Sequence, residues 1–198
     1  MSIDDPQLAA KIRAGDPDAI QRVIRAYLGQ ILRAALGAGL DPTQAEDVTQ
    51  ATFATFIEKA ANFEGRSHIR TWLFGILYKK VAEARRELKR DQQMDDIDEM
   101  VEQRFKADGS WMHPPRPVDA QLHDAEVRER IEDCLDTVPI QQRMAFTLRE
   151  VEGLGSEEMC NILGVTRTNL GVLLYRVRNR LRSCLEAKGV RGRRDAQL

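Results

Sequence analysis

Features of membrane, secreted and disulfide-rich proteins are scarce in this chain of 198 residues. It has no run of roughly 18 continuous apolar residues, so we expect no membrane span. Its N-terminus lacks the basic start and apolar core of a signal peptide. The three cysteines, Cys134, Cys160 and Cys184, are far apart and odd in number. They argue against a disulfide framework and favour a reducing cytoplasm.

Motifs of catalysis and metal binding are also missing. The sequence contains no glycine-rich phosphate loop, no HExxH and no CxxC. The histidines His68, His113 and His123 lie apart, and the spacing of the last two with Cys134 matches no standard zinc site. We therefore expect a protein that is not an enzyme and that needs no cofactor or metal.

Net charge is small, at −1, so any binding of nucleic acid must depend on local charge. Residues 79–90 hold six basic and two acidic side chains, and residues 176–194 hold eight basic and one acidic. Between them, residues 91–108 hold seven acidic and two basic side chains. The two basic segments are therefore the candidates for contact with nucleic acid.

Strand signals are nearly absent and helical periodicity is strong, which predicts an all-α fold. Asp16-Pro17 and Asp41-Pro42 are each typical of a helix start, with the aspartate as N-cap and the proline at the first helical position. The apolar positions predicted to face inward in this first part are Leu8, Ile12, Ile20, Val23, Ile24, Tyr27, Leu28, Ile31, Leu32, Ala35, Leu36, Ala45, Val48, Phe53, Phe56 and Ile57.

The helical pattern fails at residues 91–122, where an acidic run is followed by Trp111 and three prolines. This composition is typical of a linker. We therefore expect two small helical domains, at residues 1–90 and 123–188, with the linker between them and a basic tail at 189–198.

Residues 153–182 have the pattern of a helix-turn-helix, with a short helix, a tight turn and a longer arginine-rich helix. Gly164 suits the turn, and Thr166 is predicted to cap the second helix. The face of this helix predicted to be buried carries Leu170, Leu173, Leu174, Val177 and Leu181. The opposite face carries Thr168, Val172, Tyr175 and Asn179, flanked by Gly171, Arg176 and Arg182.

This second helix allows two interpretations, a DNA-reading helix or a solvated surface helix with salt-bridging arginines. Gly171 favours the first, because a glycine in mid-helix costs about 1 kcal/mol relative to alanine. A helix built only for solubility would gain nothing from this glycine or from an outward-facing Val172. Both residues suit a helix that closely approaches another surface.

On these residues the chain resembles a known family, the extracytoplasmic-function (ECF) type of bacterial RNA polymerase sigma factors. The family's second conserved region is similar, in order and spacing, to AGDPDAIQRVIRAY, AEDVTQATFATFIEKAANFEG and TWLFGILYKKVAEARR. Its fourth is similar to the stretch from LDTVPIQQRM to VRNRLR. The resemblance implies binding to core RNA polymerase through its β′ coiled coil and β flap, binding to promoter DNA, and restraint by an anti-sigma factor.

The resemblance also implies a polymerase-binding face on the helix that matches AEDVTQATFATFIEKA. Glu46, Asp47, Gln50 and exposed parts of Phe53 would grip the β′ coiled coil, since a polar face with an apolar centre suits a protein interface. The residues alone leave a simpler alternative, a helix start whose acidic side chains complement the helix dipole.

The loop and helix from Phe63 onward resemble the part that opens and reads the promoter −10 element, where single-stranded bases need aromatic platforms and cations. The family expectation is a base flipped into this loop. Trp72 also suits a core position, and Lys79 departs from a frequent asparagine, which leaves the −10 base preference open. The candidate −10 contacts are Phe63, Arg66, His68, Arg70, Trp72, Lys79, Lys80, Arg85 and Arg86.

The helix-turn-helix would bind the −35 element. Gly171, Val172 and Leu173 stand where many members carry a basic residue, a serine and an arginine. We therefore expect an unusual −35 sequence, or more dependence on shape and phosphates. The candidate −35 contacts are Thr166, Arg167, Thr168, Gly171, Val172, Tyr175, Arg176 and Arg178.

The acidic linker has two interpretations of equal weight. It resembles, in charge, the family segment that lies in the RNA path of the polymerase, and it also suits a solvated spacer between two basic faces. Trp111 is unusual for a plain spacer and suits docking on a helical domain or a partner.

The rival interpretation is a conventional transcription regulator that binds duplex DNA alone, with an N-terminal helical sensing or dimerising domain. A sensor domain has no need for GRSHIRTW running into a basic helix, whereas a promoter-melting domain does. We therefore expect a sigma factor that directs promoter recognition and −10 melting.

Overall fold

The computed structural model of the chain describes residues 6–65, 67–89 and 125–188, and the regular structure in these ranges is helical. The expected all-α fold is confirmed. None of the described helices is both long and apolar enough to cross a membrane. Outside the described residues lie Arg66, Trp111, His113, His123, the predicted linker at 91–122 and the predicted tail at 189–198.

The N-terminal half begins its helices where the sequence predicts. Asp16 accepts hydrogen bonds from the backbone N–H groups of Asp18 and Ala19, at 2.9 and 3.0 Å. Asp41 forms a capping box with Gln44. The helices are α1 (Pro6–Arg13), α2 (Pro17–Gly37), α3 (Pro42–Lys59) and α4 (Ile69–Lys89), with a 3₁₀ turn at Ala60–Asn62.

Most of the predicted apolar positions of this half are buried or partly buried, but three are exposed. Leu28, Leu36 and Ile57 lie at the surface, so their predicted burial is wrong. Successive residues of a helix point about 100° apart, so Leu36 lies on a different side of α2 from its buried neighbour Ala35. The apolar stripe of α2 is therefore wider than the surface that its neighbours cover.

The C-terminal half folds around a helix-turn-helix. Gly164 ends α7 in the left-handed conformation, with φ 66°, and Thr166 caps α8 by accepting from the N–H of Asn169 at 3.2 Å. The predicted apolar face of α8 is buried. The elements are α5 (Ala125–Asp136), α6 (Ile140–Phe146), a π-helical turn (Thr147–Val151), α7 (Ser156–Leu163) and α8 (Arg167–Ala187).

The two halves pack against each other. In the described residues α7 lies on α4, and α6 and the π-turn lie on α2. Met144, Leu148 and Met159 are fully buried and belong to the same hydrophobic cluster as the core of the first half. A second, smaller cluster lies between α5 and α8 and contains Cys134, Leu135, Val138, Val177 and Leu181.

A disulfide bond joins Cys134 of α5 to Cys184 of α8, and Cys160 is free. The argument against disulfide bonding is therefore wrong for this pair. The pair is separated by 50 residues in sequence, but its Cα atoms are 5.8 Å apart. Sequence spacing could not show this, because the proximity arises when α5 packs along the end of α8.

Candidate nucleic-acid and polymerase interfaces

The predicted polymerase-binding face of α3 is polar and open. Glu46, Asp47 and Gln50 are exposed. Phe53 is only 7% exposed, so the expected exposed phenyl surface is absent and that part of the prediction is wrong. Ile57, seven residues after Gln50, is 47% exposed and supplies the apolar member of this face. The spacing of seven residues was the signal that could have identified it.

Two of the predicted −10 aromatics contact each other. The ring of Phe63 is buried and stacks on Trp72, with centroids 4.8 Å apart and planes inclined at 17°. Trp72 also packs in an edge-to-face arrangement with Phe56, with ring centroids 5.5 Å apart, and is partly buried, which agrees with its interpretation as a core residue. In this arrangement Phe63 has no open face for a nucleic-acid base.

Some basic side chains of α4 are exposed, and others contact groups of the protein itself. Lys79 and Arg86 are exposed, and Lys80 pairs with Glu83 at 3.1 Å. Arg85 is half-buried and donates to the carbonyl oxygen of Gly39 at 3.3 Å. Burial lowers the pKa of Arg85, the positive charge of Arg143 lowers it further, and Asp136 partly offsets both. This predicted −10 contact is therefore engaged by a backbone carbonyl of the chain itself.

His68 and Arg70 line a cleft of about 610 Å³ between the two halves. The facing wall is the start of α7, from Gly155 to Glu158. The guanidinium group of Arg70 lies 5.7 Å from the centroid of the Phe74 ring, and its Nη2 donates to the carbonyl oxygen of Glu152. This predicted −10 contact therefore interacts with the C-terminal half.

Glu152 places a buried carboxylate between two arginines. Its side chain is 2% exposed, with Oε1 3.7 Å from Nε of Arg33 and Oε2 3.9 Å from Nη2 of Arg70. Burial raises the pKa of this carboxyl group, and the charges of Arg33 and Arg70 lower it by less. No motif marked Glu152, because only the packing of the two halves buries it.

The N-terminal half of α8 is the more open of the two predicted DNA surfaces. Arg167, Thr168 and Gly171 are exposed, as is the cap Thr166, and Val172 is partly exposed. A Cβ atom at Gly171 would meet nothing within 4 Å. This surface can therefore approach a groove closely without rearrangement.

Further along α8, the side chains predicted to contact −35 DNA are more buried or are paired within the chain. Tyr175 is 6% exposed, so its predicted position on the open face is wrong. Both α5 and α6 pack on α8. The buried face of α8 is therefore wider than the single stripe of leucines that the sequence predicts. Arg176 is partly buried, and Arg178 is exposed and pairs with Glu150 at 2.6 Å.

Comparison with known proteins matches two separate parts of the chain. The family model for Sigma-70 region 2 matches residues 23–91, and the model for Sigma-70 region 4 matches residues 128–181. A probable RNA polymerase sigma factor of Haemophilus influenzae is 32% identical over 73% of this chain and 78% of its own length. The ECF RNA polymerase sigma-E factor of Salmonella typhimurium is 26% identical over 89% of this chain and 91% of its own.

The fold is also similar to a solved structure. The sigma factor RpoE from Bartonella quintana, determined in complex with the anti-sigma factor NepR, matches with a TM-score of 0.62 and 23% identity. The match covers 84% of this chain and 96% of that one.

Proposed function

Because the chain belongs to the sigma-70 family of RNA polymerase sigma factors, in its ECF group, we propose that its two halves divide promoter recognition between them. The chain is a transcription initiation factor that binds core polymerase and promoter DNA. In this proposal residues 1–90 bind the −10 element and core polymerase, residues 91–122 link the halves, and residues 123–188 bind the −35 element.

The observation that carries the division is an exposed helix surface with at least one cationic side chain in each matched region. On α8, Arg167, Thr168 and Gly171 form an open start to the second helix of a helix-turn-helix, the part that enters a major groove in such motifs. On α4, which follows the loop that carries His68, Lys79 and Arg86 are exposed further along the helix. We assign α8 to duplex −35 DNA and α4 with its loop to the opened −10 strand.

The α3 face is assigned to core polymerase. Glu46, Asp47 and Gln50 supply a polar rim, and Ile57 supplies an exposed apolar contact in place of the buried Phe53. An apolar centre within a polar rim is the usual anatomy of a protein interface.

An anti-sigma factor is the regulatory partner that we propose. The support is the Bartonella quintana relative in fold, which was solved with such a protein bound. The site of action is the cytoplasm, where promoter DNA and polymerase are found. The protein itself catalyses no reaction in this proposal and acts by binding.

The test is transcription by purified core polymerase with and without the chain, on a pool of host genomic fragments. We expect discrete new start sites only in its presence, with shared sequences upstream that define the −10 and −35 elements. Asp47→Ala with Gln50→Ala should weaken core binding, whereas Glu132→Ala, an exposed change on α5, should not. Duplex binding by the chain alone, with no gain in initiation, would instead favour the conventional regulator.

A further inference from the structure

One face of α2 carries a row of leucines at the surface of the chain. Leu28 is 48% exposed and Leu36 is 40% exposed, and Leu32 between them is partly buried. Their four-residue spacing places the three side chains in one row along the helix. Neither the surfaces assigned to DNA nor the α3 face uses this leucine row, so its exposure has no explanation in promoter binding.

A row of basic side chains runs beside the leucine row. Arg25 and Arg33 are exposed and precede Leu28 and Leu36 by three residues, so the two rows are neighbours on the helix. Arg22, about one turn before Arg25, is also exposed. After its first turn α2 contains no acidic residue. A partner that fits this surface should therefore present apolar and acidic groups side by side.

Gly29 leaves a gap in the basic row, between Arg25 and Arg33. It is exposed, and an added Cβ atom would meet only Nη1 of Arg33, at an ordinary 3.5 Å. The packing of the chain therefore does not require glycine here, although glycine in mid-helix costs about 1 kcal/mol relative to alanine. A second helix can approach α2 closely at such a gap. We define the α2 face as Arg22, Arg25, Leu28, Gly29, Leu32, Arg33 and Leu36.

The chain itself contains a segment with the complementary pattern. Residues 94–105 lie outside the described ranges and read MDDIDEMVEQRF, with five acidic side chains and one basic. The residues at the three- and four-residue spacing of an apolar helix face are Met94, Ile97, Val101 and Phe105. A helix of this length measures about 18 Å, and the α2 face is about 21 Å long. The segment therefore matches the α2 face in length, apolar pattern and charge.

The path of the chain allows this segment to reach the α2 face. Near the end of α4, Arg85 donates from Nη2 to the carbonyl oxygen of Gly39 at 3.3 Å, so the end of α4 lies beside the end of α2. Residues 89–97 can span up to about 26 Å when extended, which exceeds the length of the α2 face. Residues 105–125 can span up to about 66 Å, which is enough to return the chain to α5.

We propose that residues 94–105 dock on the α2 face as an amphipathic helix, with their apolar side chains on the leucine row and their carboxylates beside the arginines. Burial of apolar surface stabilises the docked segment, and the charge pairs fix its orientation. The docked segment covers the leucine row and neutralises the basic row. It thereby keeps this face from binding a second copy of the chain or another anionic partner.

The first test maps the partner of Leu28 by photo-cross-linking in the full chain. Leu28 is replaced by p-benzoylphenylalanine, isotope-labelled and unlabelled chains are mixed in equal amounts, and the irradiated product is digested for mass spectrometry. We expect cross-links to peptides of residues 94–105 within the same chain. The control places the same photoreactive side chain at Ile57, which is 47% exposed on α3 and should not capture this segment.

The second test reverses the charges of the α2 face. Arg22→Glu with Arg25→Glu should lower the yield of the cross-link roughly twofold or more, since like charges that weaken docking about tenfold reduce a docked population of nine parts in ten to about half. Adding Asp98→Arg with Glu102→Arg, one turn apart on a flank of the segment's apolar face, should restore the yield. Lys11→Glu with Arg13→Glu makes the same change of charge on exposed positions of α1 and should leave the yield unchanged.

Hydrogen exchange of the unmodified chain keeps the inference testable if a photoreactive variant fails to fold. The backbone amides of residues 94–105 should exchange about tenfold more slowly than in the double variant Leu28→Asp with Leu36→Asp, as docking populated nine parts in ten requires. Both leucines are exposed, so helical circular dichroism should be the same in this variant as in wild type.

Four results would overturn the inference. They are cross-links that join two chains, no cross-link to residues 94–105, a yield that neither falls nor recovers with the charges, and equal exchange in wild type and the double variant. Neither measurement uses DNA or polymerase, so failure of the proposed function appears separately, as absence of promoter-specific transcripts with core polymerase.

Discussion

Gly171 shows how one missing side chain can serve a binding surface at the expense of stability. It is exposed in α8, where an added Cβ would meet no neighbour within 4 Å. Gly171→Ala should raise the free energy of unfolding by up to about 1 kcal/mol, because alanine is the better helix former. It should also weaken duplex −35 binding several-fold, because the methyl group fills space that the groove needs. Urea unfolding and fluorescence anisotropy measure the two effects.

The comparison for this variant is Gly29→Ala on α2, which also adds a methyl group within a helix without a close contact. It should stabilise the fold and leave −35 binding unchanged. If Gly171→Ala binds −35 DNA as tightly as wild type, close approach is not the reason for the glycine.

The Cys134–Cys184 bond makes the C-terminal half sensitive to reductant. It closes a loop with a sequence separation of 50 residues and fixes α5 to the end of α8. The loop-closure entropy of such a bond is worth on the order of 4 kcal/mol. Excess dithiothreitol, or Cys184→Ser, should therefore lower the midpoint of thermal unfolding by roughly 8–16 °C.

Cys160→Ser is the control, since Cys160 is free and lies on α7 outside the bonded pair. This variant should keep its full response to dithiothreitol. Identical unfolding midpoints with and without reductant would show that the bond contributes nothing to stability.

At the scale of single elements, α3 should bind core polymerase through Ile57 as well as through its acidic residues. Ile57 is 47% exposed, so its truncation removes little from the core of the free chain. Ile57→Ala should weaken core polymerase binding by roughly 1–2 kcal/mol, or about five- to thirtyfold, because about that much apolar burial is lost at the interface.

Leu28 on α2 offers a matched control, as it is 48% exposed and lies outside the assigned polymerase face. Leu28→Ala should leave the affinity for core polymerase unchanged in the same pull-down or anisotropy titration. Equal losses for the two variants would mean that exposed apolar surface in general, rather than α3, contacts the polymerase.

The elements themselves were predictable where local chemistry decides them. Asp16 and Asp41 cap helices by bonds within three residues, and the turn at Gly164 needs only a left-handed conformation. Phe53 and Tyr175 were misplaced because their burial depends on how many neighbours pack on a helix. Periodicity shows that a helix has an apolar stripe, but it does not show how wide the covered face is.

At the scale of the whole molecule, the sequence predicts the two basic surfaces but not the contact between the halves. Arg143 and Thr147 carry polar groups and gave no signal of burial, yet both are buried against Gly37. Glu152 likewise becomes significant only when Arg33 and Arg70 converge on it from two other helices. Contacts of this kind join residues that are distant in sequence and follow no local pattern.

This convergence predicts that the packing of the two halves against each other depends on pH. The pKa of Glu152 is raised by burial, so the packed halves hold the proton more tightly than separated halves in which the carboxyl group is solvated. The packed arrangement is therefore most stable below the ordinary glutamate pKa of about 4.3 and loses stability as the pH rises through the raised value. X-ray scattering of the full chain across this range should show the radius of gyration increasing with pH.

Glu152→Gln isolates the carboxyl group responsible for this dependence. The amide cannot ionise, and Arg70 still donates to the backbone carbonyl oxygen at this position, so the halves of the variant should stay packed as the pH rises. Glu150→Gln alters an exposed carboxylate in the same π-turn, paired with Arg178, and should keep the wild-type response. A Glu152→Gln chain whose halves separate with pH as in wild type would exclude this carboxyl group as the titrating site.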